Sequence, residues 1–133
     1  MRQMVLSLVM CIGLSGPVAA QSAEITDTID AQIEAFVNND IDRAFSYASP
    51  GIRRVFETPE NFGAMVRGGF PMVWRPAEVQ YLELRDVAGN LWQKVRITDA
   101  AGQVHVLDYQ MVNLEGRWKI NAVQILKVPE GTV

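Results

Sequence analysis

The chain is poor in the residues that build covalent or metal-held scaffolds, with one cysteine and one histidine among its 133 residues. A disulfide framework needs cysteine pairs, and a structural zinc site needs about four Cys or His ligands, so one chain forms neither. No metal and no cofactor is expected. Cations are scarce as well: 12 Lys and Arg stand against 15 Asp and Glu, the net charge is −3, and the longest basic run is Arg53-Arg54. Nucleic-acid readers concentrate Lys and Arg in a stripe, so no nucleic acid is expected as a partner. Motifs for phosphate, calcium and acyl chemistry are missing too. Gly68-Gly69 lacks both the following Lys-Ser/Thr and the preceding strand of a phosphate-cradling loop. Asp40 and Asp42 lack the further oxygen ligands and closing Glu of a calcium loop. No Gly-x-Ser-x-Gly occurs. What is present is a globular composition, 49% apolar and 20% charged, sufficient for one core and too short for a second.

The N-terminus has the plan of a secretory leader. Arg2 precedes the uncharged run Met4–Leu14, and Val18-Ala19-Ala20 sets small residues before Gln21. The run is shorter than the roughly 20 apolar residues of a membrane span, so no stable anchor is expected after cleavage. Cys11 lies inside the run behind Met10, where a lipoprotein would have a small residue. The expected organisation is a signal peptide over 1–20, a domain over 21–128 and a loose tail over 129–133. The mature protein would be periplasmic or secreted and free of cysteine.

The mature chain changes period at about residue 70. Ile25, Ile29, Ile33, Phe36 and Val37 line one helix face. Asp40 is placed to cap a second helix, and Ser49-Pro50 and Thr58-Pro59 each pair a capping hydroxyl with Pro at the first helical position. Pro71 and Pro76 bracket Met72-Val73-Trp74, which reads as a short extended piece. Four strands follow, over 78–86, 90–99, 103–114 and 117–126. Asp86–Asn90 and Asp99–Gln103 share Asp-x-Ala-Gly-polar, the pattern of a type I turn with Gly in the left-handed region. Glu115-Gly116 fits a two-residue loop. The fold class is α+β, with N-terminal helices packed on a curved four- to five-stranded antiparallel sheet.

This register sorts the strands onto two faces. The inner face, under the helices, takes Val79, Tyr81, Leu91, Val95, Ile97, Leu107, Tyr109, Met111, Trp118, Ile120 and Ala122. Glu83, Gln93 and Tyr109 form one row across it, and Tyr81, Val95, Leu107 and Gln124 the next. A few polar groups converging on an apolar concave surface make a small-molecule pocket, so Tyr81, Glu83, Gln93, Tyr109 and Gln124 are the candidate ligand contacts. Burial would raise the Glu83 pKa and make it a candidate base; the alternative is that Glu83 pairs with Arg85 at the mouth. His105, near the sheet end beside Ile97, is the second candidate base, though a structural histidine explains it as well. The outer face collects Leu82, Leu84, Trp92, Val104, Val106, Val112, Val123 and Ile125, with Lys94 opposite Asp108. So much exposed apolar surface predicts a homodimer through that face.

Helices across a curved meander, with the ending Glu115-Gly116-Arg117-Trp118-Lys119-Ile120, resemble the nuclear-transport-factor-2-like superfamily, the cone-shaped fold of ketosteroid isomerases and polyketide cyclases. More narrowly, Gln32–Phe36, Ala44–Pro50, Thr58–Phe62 and Asp108–Met111 resemble a family of short exported bacterial proteins known only as a domain of unknown function. The resemblance implies a fold and a pocket but no activity, because the superfamily hosts enzymes and binding modules alike. The leading expectation is a non-catalytic binding or assembly module with a small apolar ligand. The alternative is a small isomerase, hydratase or cyclase using Glu83 or His105.

Overall fold

The computed structural model describes residues 16–127. The apolar run Met4–Leu14 and the expected tail over 129–133 lie outside them. Five helices precede four strands: α1 (Gly16–Val37), α2 (Ile41–Ser46), α3 (Pro50–Phe56), α4 (Pro59–Gly69), α5 (Pro71–Trp74), β1 (Pro76–Val87), β2 (Asn90–Asp99), β3 (Val104–Leu114) and β4 (Arg117–Leu126). The strands form one curved antiparallel sheet in the order β1-β2-β3-β4, and the helices pack on one face. The class is α+β, with four strands.

The helix starts follow their caps. The Asp40 carboxylate accepts from Arg43 N–H, Ser49 Oγ from Ile52 N–H and Thr58 Oγ1 from Asn61 N–H. Each cap satisfies a donor that the first turn leaves free, with Pro at the first helical position of α3 and α4. Met72-Val73-Trp74 is not extended. After Gly68-Gly69 ends α4, Pro71 opens a single helical turn that buries all three residues. Their burial outweighs the bracketing prolines. Ile25, Ile29, Ile33 and Phe36 are buried as the period predicts, each contributing about 2 kcal/mol of apolar burial. Val37, the last residue of α1, is 44% exposed.

The β2–β3 register is as expected, with Gln93 opposite Tyr109 and Lys94 opposite Asp108. The β1–β2 pairing contains two register shifts, at Pro76/Glu78 and at Tyr81/Leu84, and the β3–β4 pairing one. Ala88-Gly89 forms a tight two-residue loop, with φ of 54° and 89°, and not the longer loop expected there. Asp86 closes it by accepting from Gly89 N–H at 2.9 Å. At the far end Tyr81 stands opposite Val95, as expected, because its hydroxyl is tied to α1. Turn and anchor differ by one residue, and Leu82 and Glu83 together absorb it by facing Lys94. Leu84 therefore turns inward opposite Gln93, and Glu83 turns outward. On β4 the shift falls between Gln110 and Met111, leaving Asn121 as the extra residue. Val123 and Ile125 take the inner register opposite Tyr109 and Leu107, while Ala122 and Gln124 face outward opposite Gln110 and Asp108.

The outer face is consequently more polar than expected. It loses Leu84, Val123 and Ile125 and gains Arg85, whose guanidinium holds Asp108 through two bonds of 2.9 and 2.7 Å. Asp108 is only 5% exposed on a face that carries no helix among the described residues. At the β4 edge, Ala48 forms a parallel bridge to Ile120, with Ser49 N–H donating to Ile120 C=O and Ile120 N–H to Tyr47 C=O.

Candidate functional site

All five phenylalanines lie between residues 36 and 70, Phe36 at the end of α1 and the other four on or beside α2 to α5, whose starts are fixed by Asp40, Ser49 and Thr58 or by Pro. Phe62 is their hub, with ring centroids 5.9 Å from Phe36, 5.4 Å from Phe45 and 5.9 Å from Phe56. Between this layer and the β3–β4 half of the sheet lies a cavity of about 340 Å³. Phe36, Phe62, Val66, Val73, Tyr109 and Ile120 form its buried wall, and half-buried Ile52, Phe56, Met65, Phe70 and Val123 its outer part. The β4 bulge shapes this wall, since it brings Val123 into the inner register and sets Asn121 at the lining.

Three polar side chains reach the lining. Gln32 is buried and donates Nε2 to Ala44 C=O at 3.1 Å. Asn121 is held at both ends, accepting from Ser49 Oγ and donating to Gln110 Oε1, each at 2.7 Å. Tyr109, 1% exposed, has a buried hydroxyl with no hydrogen-bond partner among the described residues. Burial raises its phenol pKa above the ordinary value, so the group is a protonated donor at neutral pH. Among the described residues, no Asp, Glu, His, Lys or Arg lines the cavity.

Of the candidates read from the sequence, Tyr109 alone lines this cavity. Gln93 is adjacent to it on the sheet and 1% exposed, but its amide is spent on Leu82 and Lys94 C=O groups at 3.0 and 2.9 Å. Tyr81 donates to Asp30 at 2.5 Å and to Thr26 C=O at 3.3 Å; burial, then the Asp30 bond, pushes its pKa well up. Glu83 does not join the row with Gln93 and Tyr109. The β1 bulge sends it to the outer face, 63% exposed and 3.3 Å from Lys94 Nζ. Gln124, flipped by the β4 bulge, is exposed on that face too. His105 sits opposite Ile97 at the sheet end, 2.8 Å from Asp99, a carboxylate that also accepts from Ala101 and Gln103 N–H in the turn. The phenylalanine wall was missed. Its available signal was the confinement of every phenylalanine to the helical half.

Among the described residues, no cluster of three or more His, Cys, Asp or Glu could hold a metal ion, and no helix is long and apolar enough to cross a membrane. An α+β fold with an apolar cavity between its layers defines a class of small domains without defining a chemistry. Residues 18–133 match the family described as a domain of unknown function, DUF4864, and the chain belongs to that family. No curated protein and no solved structure matches the chain.

Proposed function

We propose that this protein is an exported, non-catalytic binding module of nuclear-transport-factor-2-like type, whose cavity holds a small apolar molecule carrying one hydrogen-bond acceptor. The observation that carries the reading is the unpartnered Tyr109 hydroxyl beside an otherwise apolar cavity. A buried donor left without an acceptor costs about 1–3 kcal/mol, and a ligand carbonyl, ether or carboxyl oxygen would remove that cost. The volume falls at the small end of ligand sites. Binding is favoured over the isomerase or cyclase alternative because the described lining carries no carboxylate or imidazole to move a proton. Export is supported by the leader-like N-terminus and by the exposure of Val18, Ala19 and Ala20, whose removal would sacrifice no buried contact. Self-association through the outer face belongs to the same reading, resting on Leu82, Trp92, Val104, Val106 and Val112. A sedimentation coefficient that stays monomeric at high concentration, and that Val106→Glu leaves unchanged, would remove it.

The test of the cavity is displacement of an environment-sensitive apolar fluorophore by medium-chain alcohols, ketones and the matching alkanes. Oxygen-bearing competitors should bind about tenfold tighter than the alkanes, and Tyr109→Phe should erase that difference. Equal affinities in the native protein would overturn the reading.

A further inference from the structure

A second site lies on the other side of α3. Ile52 and Phe56 face the cavity, whereas Pro50, Arg53, Arg54 and Glu57 border a separate open cleft of about 550 Å³ whose far wall is Phe45 of α2. Arg53 reaches into it from α3, and its Nε is buried without a hydrogen-bond acceptor. From β4, the Lys119 ammonium donates to Ser46 C=O at 2.7 Å, next in sequence to Phe45. Partial burial, and after it the charges of Arg53 and Arg117, lower the Lys119 pKa. None of Arg53, Arg54, Arg117 and Lys119 forms an ion pair with a carboxylate among the described residues. A chain of net charge −3 thus gathers unneutralised cations at the junction of α2, α3 and β4.

Such an arrangement is unfavourable in isolation. Like charges repel, and a buried guanidinium N–H without an acceptor loses its hydration without replacement. Both costs reverse if an oxyanion sits among them. Guanidinium groups present planar donor pairs that match phosphate and carboxylate oxygens, and a nearby ammonium adds a third, movable donor. Glu57 is the one acidic residue bordering the cleft, and it is exposed at the α3 C-terminus. It opposes an anion without neutralising the cations.

We propose that the cleft between α2 and α3 is an oxyanion-binding site, formed by Arg53 and Arg54 with Lys119, that takes a phosphate group. The phosphate comes either from a soluble molecule or from a phospholipid headgroup. The site is independent of the cavity around Tyr109 and stands whether or not that cavity binds a ligand.

The experiment is a titration of the isotope-labelled full chain with inorganic phosphate at pH 7, ionic strength being held constant with chloride. Saturable amide shifts confined to residues 45–57 and 117–119 are expected. Lys119→Gln should weaken the dissociation constant about tenfold, Arg54→Gln severalfold, and Glu57→Gln should tighten it. Arg54 and Glu57 are exposed, so those two variants keep the test valid if Lys119→Gln fails to fold. A parallel arm sediments the protein with vesicles of phosphatidylglycerol or of phosphatidylcholine. Binding to phosphatidylglycerol alone, lost in Arg54→Gln, assigns the phosphate to a lipid headgroup. Phosphate shifts without vesicle binding assign it to a soluble molecule. Unsaturable or scattered shifts without vesicle binding, or constants that the three substitutions leave unchanged, would overturn the proposal.

Discussion

Tyr81 and Tyr109 differ in whether the hydroxyl has an acceptor. Tyr81 donates to Asp30 and Thr26, so Tyr81→Phe should cost about 1 kcal/mol in urea unfolding. Tyr109 donates to nothing in the described structure, so Tyr109→Phe should leave the unliganded fold unchanged or stabilise it by about 1 kcal/mol. A loss like that of Tyr81→Phe would show that the Tyr109 hydroxyl has a partner in the free protein. Arg85 and Asp108 supply a different contrast. Arg85→Ala strands a carboxylate that is 5% exposed and should cost about 2 kcal/mol, more than the double variant Arg85→Ala with Asp108→Ala. Additive losses in a double-mutant cycle would mean that the pair is not coupled. At this scale the sequence was informative where side-chain type and environment agree. Tyr109 could be picked out because it is one of a few polar groups on an otherwise aliphatic face. Glu83 looked equally strong and was misplaced, because a side chain's type does not say which way the backbone turns it.

Turns and bulges explain that difference. The loops at Gly102 and Glu115-Gly116 could be read because positive φ strongly favours Gly, and both adopt it. The loop at Ala88-Gly89 escaped because Asp86–Asn90 shares its residue pattern with the longer loop at Asp99–Gln103, although Ala88 at φ 54° and Gly89 repeat the geometry of Glu115-Gly116. That φ is unfavourable for Ala, so Ala88→Gly should raise the melting temperature, by the equivalent of about 1 kcal/mol, with an unchanged fold. Bulges leave no comparable trace. They arise where a turn and a distant anchor demand registers one residue apart, so they reflect the whole sheet and not the local sequence. The helix caps lie at the opposite extreme, since Asp40, Ser49-Pro50 and Thr58-Pro59 each act within one turn of themselves. The β2–β3 hairpin adds a pH signature. The hydrogen bond from His105, followed by that from Gln103 N–H, holds the Asp99 carboxyl below the usual carboxylate range. A lowered folded pKa means stability that is present above the unfolded value of about 4 and lost as pH falls through the folded one. Asp99→Asn keeps the turn's acceptor but should flatten the acid limb of the stability profile. An unchanged limb in acid unfolding curves would remove Asp99 from the account.

At the scale of the molecule, the expected leader and the domain would meet within one helix. α1 runs through the expected cleavage point at Ala20-Gln21, and from Val18 onward Ile25 is the first fully buried side chain. Cleavage there should leave the melting temperature of the domain within about 1 °C of that of the uncut chain. The intact mass of protein recovered outside the cytoplasm should begin at Gln21, and recovery of a species that retains residues 1–20 would refute export with processing. The class of the whole molecule was legible because the period changes once, from helical to alternating, near residue 70. The cavity was not, because it is enclosed by residues from α1, α3, α4, α5 and two strands, a convergence that no single stretch of sequence contains.

The short bridge at Tyr47–Ser49 has a consequence for how copies of the chain coexist. An open sheet ends in two rows of free backbone groups, each a template on which another molecule can add a strand and begin a fibre. On β4, Ile120 already spends its N–H on Tyr47 and its C=O on Ser49, so an incoming strand meets an occupied position there. On β1, the row opens with Pro76, is kinked at Leu82 and Glu83, and bears exposed Glu78 and Gln80. The loop between α2 and α3 and the misregistered carboxylate of β1 therefore share a role that neither shows alone. They guard the two ends of the sheet against aggregation.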